Sequence, residues 1–361
     1  MLSALSMVTE RIGLVATCAT TYNQPYNVAR MLASIDQLSG GRCGWNLVTG
    51  GVRDDALHFN LTTHVPHADR YEMAEEFADV CLGLWDSFDD DALVQDKSSG
   101  RFVDVAKIHT LDHFGKYYSV KGPLSVARSP QGRPVIIQAG ASEPAKQLSA
   151  RIADVVFTAQ TSFESARAFY ADVKGRLAKF GRSPDELKVM PGVAVYVGRS
   201  EAEADEQYEQ LQSMLVPSVA FALLHERIGG VDLSGYDLDG PFPDLEGNTA
   251  RMSGPPALAQ LARRENLTLR QVAMRMAASR SHWLLKGTPQ TIADQLEHWF
   301  RNGAADGFNL LPQIVPGSIT SFVDLVVPEL QRRGLFRTEY EGRTLRENLG
   351  VPRPRSRYAV R

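Results

Sequence analysis

The sequence predicts an α/β fold, a (β/α)8 TIM barrel from which the first two strands are missing. Three observations carry this. Along the 361 residues, apolar runs too short for helices alternate with amphipathic stretches at helical spacing. No Gly-x-Gly-x-x-Gly follows any predicted strand, which argues against a dinucleotide-binding doubly wound sheet. Six strands are counted, and the chain opens on Leu2, Leu5 and Val8, half of an amphipathic helix with no cap.

Arg11 to Thr21 reads as the first of these strands, with Ile12, Leu14, Val15 and Ala16 buried. A helix follows over Pro25 to Leu38, presenting Val28, Met31, Leu32 and Ile35 on one face. Cys43 to Thr49 is the next strand, interrupted by polar Asn46 and Thr49 near its carboxyl end. Asp69 to Trp85 has the strongest helical spacing, through Met73, Phe77, Val80, Cys81 and Leu84, and Asp69 with Glu72 matches a capping box. Residues 86–128, acidic and then rich in Gly and aromatics, read as a hairpin excursion. Val135-Ile136-Ile137, then Gly140, then Ser142 as a helix cap, then Val155-Val156-Phe157 spell strand, turn, helix and strand. Two apolar strands joined through a helix imply a parallel sheet covered on its faces. Helices are expected over 163–180, 201–215, 288–302 and 319–332, and strands over 187–197 and 306–311. Residues 217–286 break the alternation and read as an insertion that covers a site. Residues 1–333 are thus expected to form one domain, with 334–361 as a polar, basic tail.

Hydrophobic content of 43% supports a sizeable core, and a net charge of -3 argues against a nucleic-acid or membrane-surface protein. Cys18, Cys43 and Cys81 lack metal-ligand spacing and fit buried thiols in a reducing compartment, the cytoplasm. No apolar run reaches membrane-spanning length. Met1 to Val8 has no basic region and is followed by Glu10-Arg11, so it reads as a helix end and not as a signal peptide.

In a barrel, chemistry gathers at the carboxyl ends of the strands. Those ends carry Thr17, Thr20 and Thr21; Asn46 and Thr49; Gln138 and Ser142; Thr158 and Gln160; Asn309 and Gln313. The set is neutral. It holds no carboxylate pair for glycoside chemistry and no nucleophile–base–acid set for acyl transfer. Neutral donors suit a heteroaromatic ligand with a phosphate tail, which would carry the chemistry itself. The loop Gln138 to Ser142 ends at a helix start, where N–H groups and the helix dipole favour an anion. An ordinary βα turn with a capping serine accounts for it as well. His64 and His67 stand three apart, but Pro66 between them works against a helical metal-binding face, and a third ligand is needed. His67 and Tyr71, four apart, can flank one point; a loop histidine beside a packed tyrosine is the plainer reading.

The segments ERIGLVATCATTYNQPYNVAR, LSGGRCGWNLVTG, HADRYEMAEEFADVCLGLWDSF, GPLSVARSPQGRPVIIQAGAS, GTPQTIADQLEHWFRNGAADGFNLLPQ and VVPELQRRGLFRTEYEGRTLRENLG run in order over nearly all of the chain. In them the chain resembles the nitrilotriacetate monooxygenase family of flavin-dependent enzymes, in the bacterial-luciferase-like superfamily. The resemblance implies a TIM barrel that uses reduced FMN and O2. It implies insertion of one oxygen atom into a small organic substrate, such as an aminopolycarboxylate or organosulfur compound, through a flavin C4a-peroxide. A separate NAD(P)H-dependent flavin reductase is the implied partner, and a homo-oligomer the implied assembly. The resemblance places flavin contacts on Thr17, Asn46, His67, Tyr71, Ala141 and Ser142, and no metal. Family members also carry a further βαβ unit before this start, with an aspartate near the ring. The alternative is therefore a non-catalytic flavin-binding remnant. Gly50 stands where the family often has serine, and Pro144 where it tends to have a small residue.

Overall fold

The computed structural model describes residues 1–50, 53–228, 230–243, 245, 254–279 and 282–359. Helix α1 (Leu2–Val8) leads into strand β1 (Leu14–Ala19), helix α2 (Pro25–Leu38) and strand β2 (Cys43–Val48). Proline starts α2 at a position whose N–H needs no partner, and Val28, Ala29, Leu32, Ala33 and Ile35 form its buried face. Helix α3 (His67–Trp85) follows, then two small antiparallel hairpins, β3 (Leu93–Asp96) with β4 (Arg101–Val103) and β5 (His113–Phe114) with β6 (Ser119–Val120). The chain continues through β7 (Val135–Ala139), α4 (Glu143–Ile152), β8 (Val155–Thr158), α5 (Phe163–Arg176), β9 (Lys188–Val197) and α6 (Glu201–Ser213). Helices α7 (Pro217–Arg227), α8 (Gly254–Glu265) and α9 (Leu269–Ser279) precede β10 (Trp283–Gly287), α10 (Pro289–Arg301) and β11 (Asn309–Leu311). The end comprises α11 (Gly317–Ser321), a π-helical turn over Phe322–Val326, α12 (Val327–Arg332) and α13 (Leu345–Leu349).

The principal sheet has seven parallel strands in the order β1-β2-β7-β8-β9-β10, with β11 also pairing β9. It is a half-barrel and not a closed eight-stranded ring: among the described residues β1 pairs with β2 alone. The edge of the sheet is more exposed than the sequence predicts. Ile12, just before β1, and Val15 on it, both expected inside, are 57% and 40% exposed, and among the described residues no strand pairs with the outer edge of β1. The seventh strand, β10, begins within 217–286, the stretch read as insertion, and ends at Gly287; Trp283-Leu284-Leu285 is a short apolar run that the polar residues before it obscure. Within its middle, 229–256, residues 229, 244 and 246–253 fall outside the described residues. The capping box foreseen at Asp69 does not form. Helix α3 begins two residues earlier, Pro66 is its N-cap with no side-chain bond, and Asp69 sits in the first turn, where a carboxylate favours the helix dipole.

The largest core lies between the sheet and helices α2 to α5, around Trp45, Phe77, Trp85, Ile136 and Leu148. A separate core joins α7, α8 and α9 through Leu224, Leu258, Leu269 and Val272. A third packs β9 and β10 on α10 and α12 through Val193, Leu285, Leu296 and Leu330.

Residues 334–361 do not trail into solvent. Leu345 N–H bonds Gly41 O at 2.9 Å, just before β2. Arg346 grips Asp154, just before β8, with two bonds of 2.6 and 2.8 Å, and both side chains are buried. Asp154 also accepts from Ile136 N–H at 2.8 Å. Gln131 bonds Arg346 N–H, Cys43 O and Asp36, and Asp36 further accepts from Cys43 N–H and Ser129. Burial pushes the Asp36 carboxyl up to about 6 despite these donors. The amino end of the sheet is thus closed by a buried polar network.

Candidate functional site

The carboxyl end is organised differently. Most of its neutral side chains are spent on holding the backbone. Thr20 and Thr21 donate to Val48 O and Thr49 O, pinning the ends of β1 and β2 together. Gln138 accepts from Ser149 at 2.6 Å and donates to Ala139 O. Gln160 bonds Thr158, and Gln313 bonds Leu311 O. These positions, candidates from their place on the strands, are structural.

Two groups remain. In the first, β1 and β2 pair in a register that puts Thr17 beside Asn46, and Asn46 Nδ2 donates to Thr17 Oγ1 at 3.0 Å. That bond fixes the amide, and it leaves Asn46 Oδ1 buried with no partner among the described residues. A buried acceptor without a donor costs about 1–3 kcal/mol, so an N–H from a ligand would be favoured there.

The second group is the loop after β7. Gly140 has φ +142°, and a Cβ on it would lie 2.9 Å from the Ala145 Cβ. The same point is 3.6 Å from the Tyr71 hydroxyl, so α3 brings Tyr71 up to this loop. Ser142 caps α4 by accepting from Ala145 N–H at 3.4 Å, as its sequence position indicated. The N–H groups of Ala141, Ser142 and Glu143 find no acceptor among the described residues. Three free N–H groups at the start of a ten-residue helix, beside a phenol and a serine hydroxyl, form an anion-favouring cradle. His67 opens α3 and packs on Tyr71, ring centroids 4.9 Å apart. Burial, and then the Arg70 guanidinium nearby, hold the His67 imidazole below its ordinary pKa. Strand β2 pairs directly with β7, Asn46 against Ile137, so the two groups stand on adjacent strands.

His64 and His67 do not converge. His64 Nδ1 is bonded to the Tyr22 hydroxyl at 2.5 Å, and Tyr22 stacks flat on Phe59. Sequence reading missed this Tyr22–His64 pair and the burial of Arg70. The partners are 42 residues apart, and nothing local to either signals the other. Arg70 could have been singled out as a cation in the first turn of a helix, where the dipole disfavours it.

A flavin mononucleotide fits what is present. Its phosphate matches the free N–H groups at α4, and the imide N–H of its ring matches the orphaned Asn46 Oδ1. Among the described residues no group of three or more His, Cys, Asp or Glu is placed to hold a metal ion. No helix there is long and apolar enough to cross a membrane.

The parallel sheet, its helix-covered faces and its neutral carboxyl end define a β/α half-barrel of the class that houses a ligand at strand ends. Comparison with known proteins makes this specific. Residues 1–306 match the family described as luciferase-like monooxygenase. The chain is 51% identical over 360 residues to nitrilotriacetate monooxygenase component A of Aminobacter aminovorans, covering 99% of this chain and 80% of that one. It is 47% identical to the N-acetyl-S-(2-succino)cysteine monooxygenase of Bacillus subtilis (strain 168), covering 99% and 82%. A crystal structure of riboflavin lyase with modified FMN and riboflavin superposes with a TM-score of 0.86 at 34% identity, covering 97% and 76%. The chain belongs to the luciferase-like monooxygenase family, and is an oxidoreductase of the monooxygenase class.

Proposed function

We propose that this chain is the oxygenase of a two-component system: it binds reduced FMN from a separate NAD(P)H-dependent reductase and oxygenates a small organic substrate. The observation that carries the reading is the pairing of three unsatisfied N–H groups at α4 with the Tyr71 hydroxyl across Gly140. Ala141 and Ser142 hold the phosphate through backbone N–H groups and the serine hydroxyl. His67 donates one N–H beside it, and Tyr71 donates its hydroxyl. Thr17 orients the Asn46 amide, and Asn46 Oδ1 accepts from the ring edge. Bound reduced FMN supplies the electrons by which dioxygen is activated for transfer of one oxygen atom to the substrate. The protein's task is then to hold the ring and keep water out. Helices α7 to α9, with a core of their own, are the segment suited to cover the site. We take residues 1–333 as the functional domain, with 334–361 bound across its amino end. The names of the two relatives, a nitrilotriacetate and a succinocysteine monooxygenase, support a substrate bearing carboxylates. A non-catalytic flavin-binding remnant has no specific observation in its favour.

Titration of the protein with FMN tests the reading. The variant Ser142→Asp sets a carboxylate against the phosphate and is expected to weaken binding by about 1–3 kcal/mol. Unchanged affinity would remove the phosphate assignment.

A further inference from the structure

The loop between β2 and α3 contains a cleft of about 490 Å³ whose walls include Asp54, Thr62, Thr63, His64, His67 and Arg70. Arg70 is the unusual member. Its side chain belongs to a residue only 9% exposed, yet it makes one hydrogen bond, from Nη1 to Val65 O at 2.7 Å. Its Nε has no partner, and among the described residues it forms no ion pair. The groups that act on it electrostatically are the phenols of Tyr22 and Tyr71, which carry no charge at physiological pH, and burial disfavours its charged form. Asp54 stands on the cleft wall but does not bond to it. A guanidinium cannot shed its proton at physiological pH, so a buried one without a counter-ion is an unmet demand for an anion. Its planar fork is shaped for a carboxylate.

Arg70 also points away from the cradle. Residues 70 and 71 are separated by about 100° on a helix, and Tyr71 reaches Gly140 while Arg70 reaches back to Val65. His64, bonded to the Tyr22 hydroxyl, lines the same cleft, and Tyr22 stacks on Phe59. We infer that this cleft is a substrate subsite in which Arg70 binds a carboxylate, with the Thr62 and Thr63 hydroxyls at its mouth. The inference rests on the oxygenase reading and names its substrate class: a small molecule whose carboxylate anchors at Arg70 while the atom to be oxygenated lies toward Asn46.

The experiment is calorimetric titration with nitrilotriacetate and N-acetyl-S-(2-succino)cysteine, with and without FMN, on wild type and three variants. At least one of these carboxylates should bind wild type. R70Q should weaken that binding at least tenfold, and R70K should recover part of it. T63E adds a negative charge to the mouth and leaves the Arg70–Val65 bond untouched, so it should weaken binding at least tenfold even if R70Q proves unstable. FMN affinity should stay within twofold throughout. Loss of FMN binding in R70Q with carboxylate binding unchanged would assign Arg70 to the cofactor phosphate and overturn the inference. So would wild type that binds neither carboxylate, or variants that bind as wild type does. Carboxylate binding that depends on Arg70 in a protein that takes up no FMN would sink the oxygenase reading and leave this subsite standing.

Discussion

Replacing Arg346 by leucine should be among the most damaging single changes in the chain, although Arg346 lies 192 residues from its partner and far from the candidate site. The guanidinium makes two bonds to Asp154, at 2.6 and 2.8 Å, and both side chains are nearly sealed from water, 2% and 6% exposed. Leucine removes both bonds and leaves the Asp154 carboxylate buried with one donor, Ile136 N–H. Breaking a buried ion pair from one side costs about 3–5 kcal/mol, most of it the desolvation of the charge left behind. Adding Asp154→Asn removes that charge, so the double variant R346L/D154N should regain most of the loss. Equilibrium urea denaturation followed by tryptophan fluorescence measures both, and FMN affinity measured in parallel should not change. A loss under about 1 kcal/mol for R346L, or a double variant no better than the single one, would refute the claim that the pair is buried and mutually dependent.

Other perturbations follow from the same physics. Asp36, at about 6 when folded against 3.8 in the open chain, holds its proton more tightly in the folded state between those values. Its ionisation thus costs nothing below pH ~4 and destabilises progressively up to about pH 6. The stability of Asp36→Asn relative to wild type should accordingly rise by about 3 kcal/mol across that window and then level off, as denaturation at several pH values would show. Gly140→Ala places a methyl 2.9 Å from the Ala145 Cβ on a backbone at φ +142°, and should cost about 1–3 kcal/mol and weaken FMN binding, read by thermal melts and flavin titration. A neutral result there would show that the loop gives way and that the cradle is not rigid.

The parts of this fold that sequence reveals are those written in local pattern. Val135-Ile136-Ile137, Gly140 and Ser142 predicted β7, its turn and the cap of α4, because strand, left-handed turn and N-cap each demand residue types within a few positions. Thr17 and Asn46 were nominated separately as strand ends, and the register of β1 on β2 then set them side by side. What stayed hidden depends on partners far along the chain. Arg346 sits in a run of charges that looks solvated, and only the folded sheet brings Asp154 to it. Tyr22 and His64 meet across a loop. Asp69 and Glu72 have capping-box spacing, but Pro66 starts the helix two residues too early for it. Strand β10 was lost because five residues between a helix and a proline-started helix carry little periodicity of their own.

The bond between Asp154 and Arg346 also bears on how the protein is made. Ribosomes add about 5–20 residues per second, so Asp154 emerges roughly 10–40 seconds before its partner. Through that interval the centre of the sheet carries a carboxylate that cannot be buried without loss. The strands around β7 and β8 are therefore expected to remain loosely assembled on the nascent chain until the segment bearing Arg346 arrives. Arrival of the Arg346 segment then acts as the step that commits the sheet to its native packing.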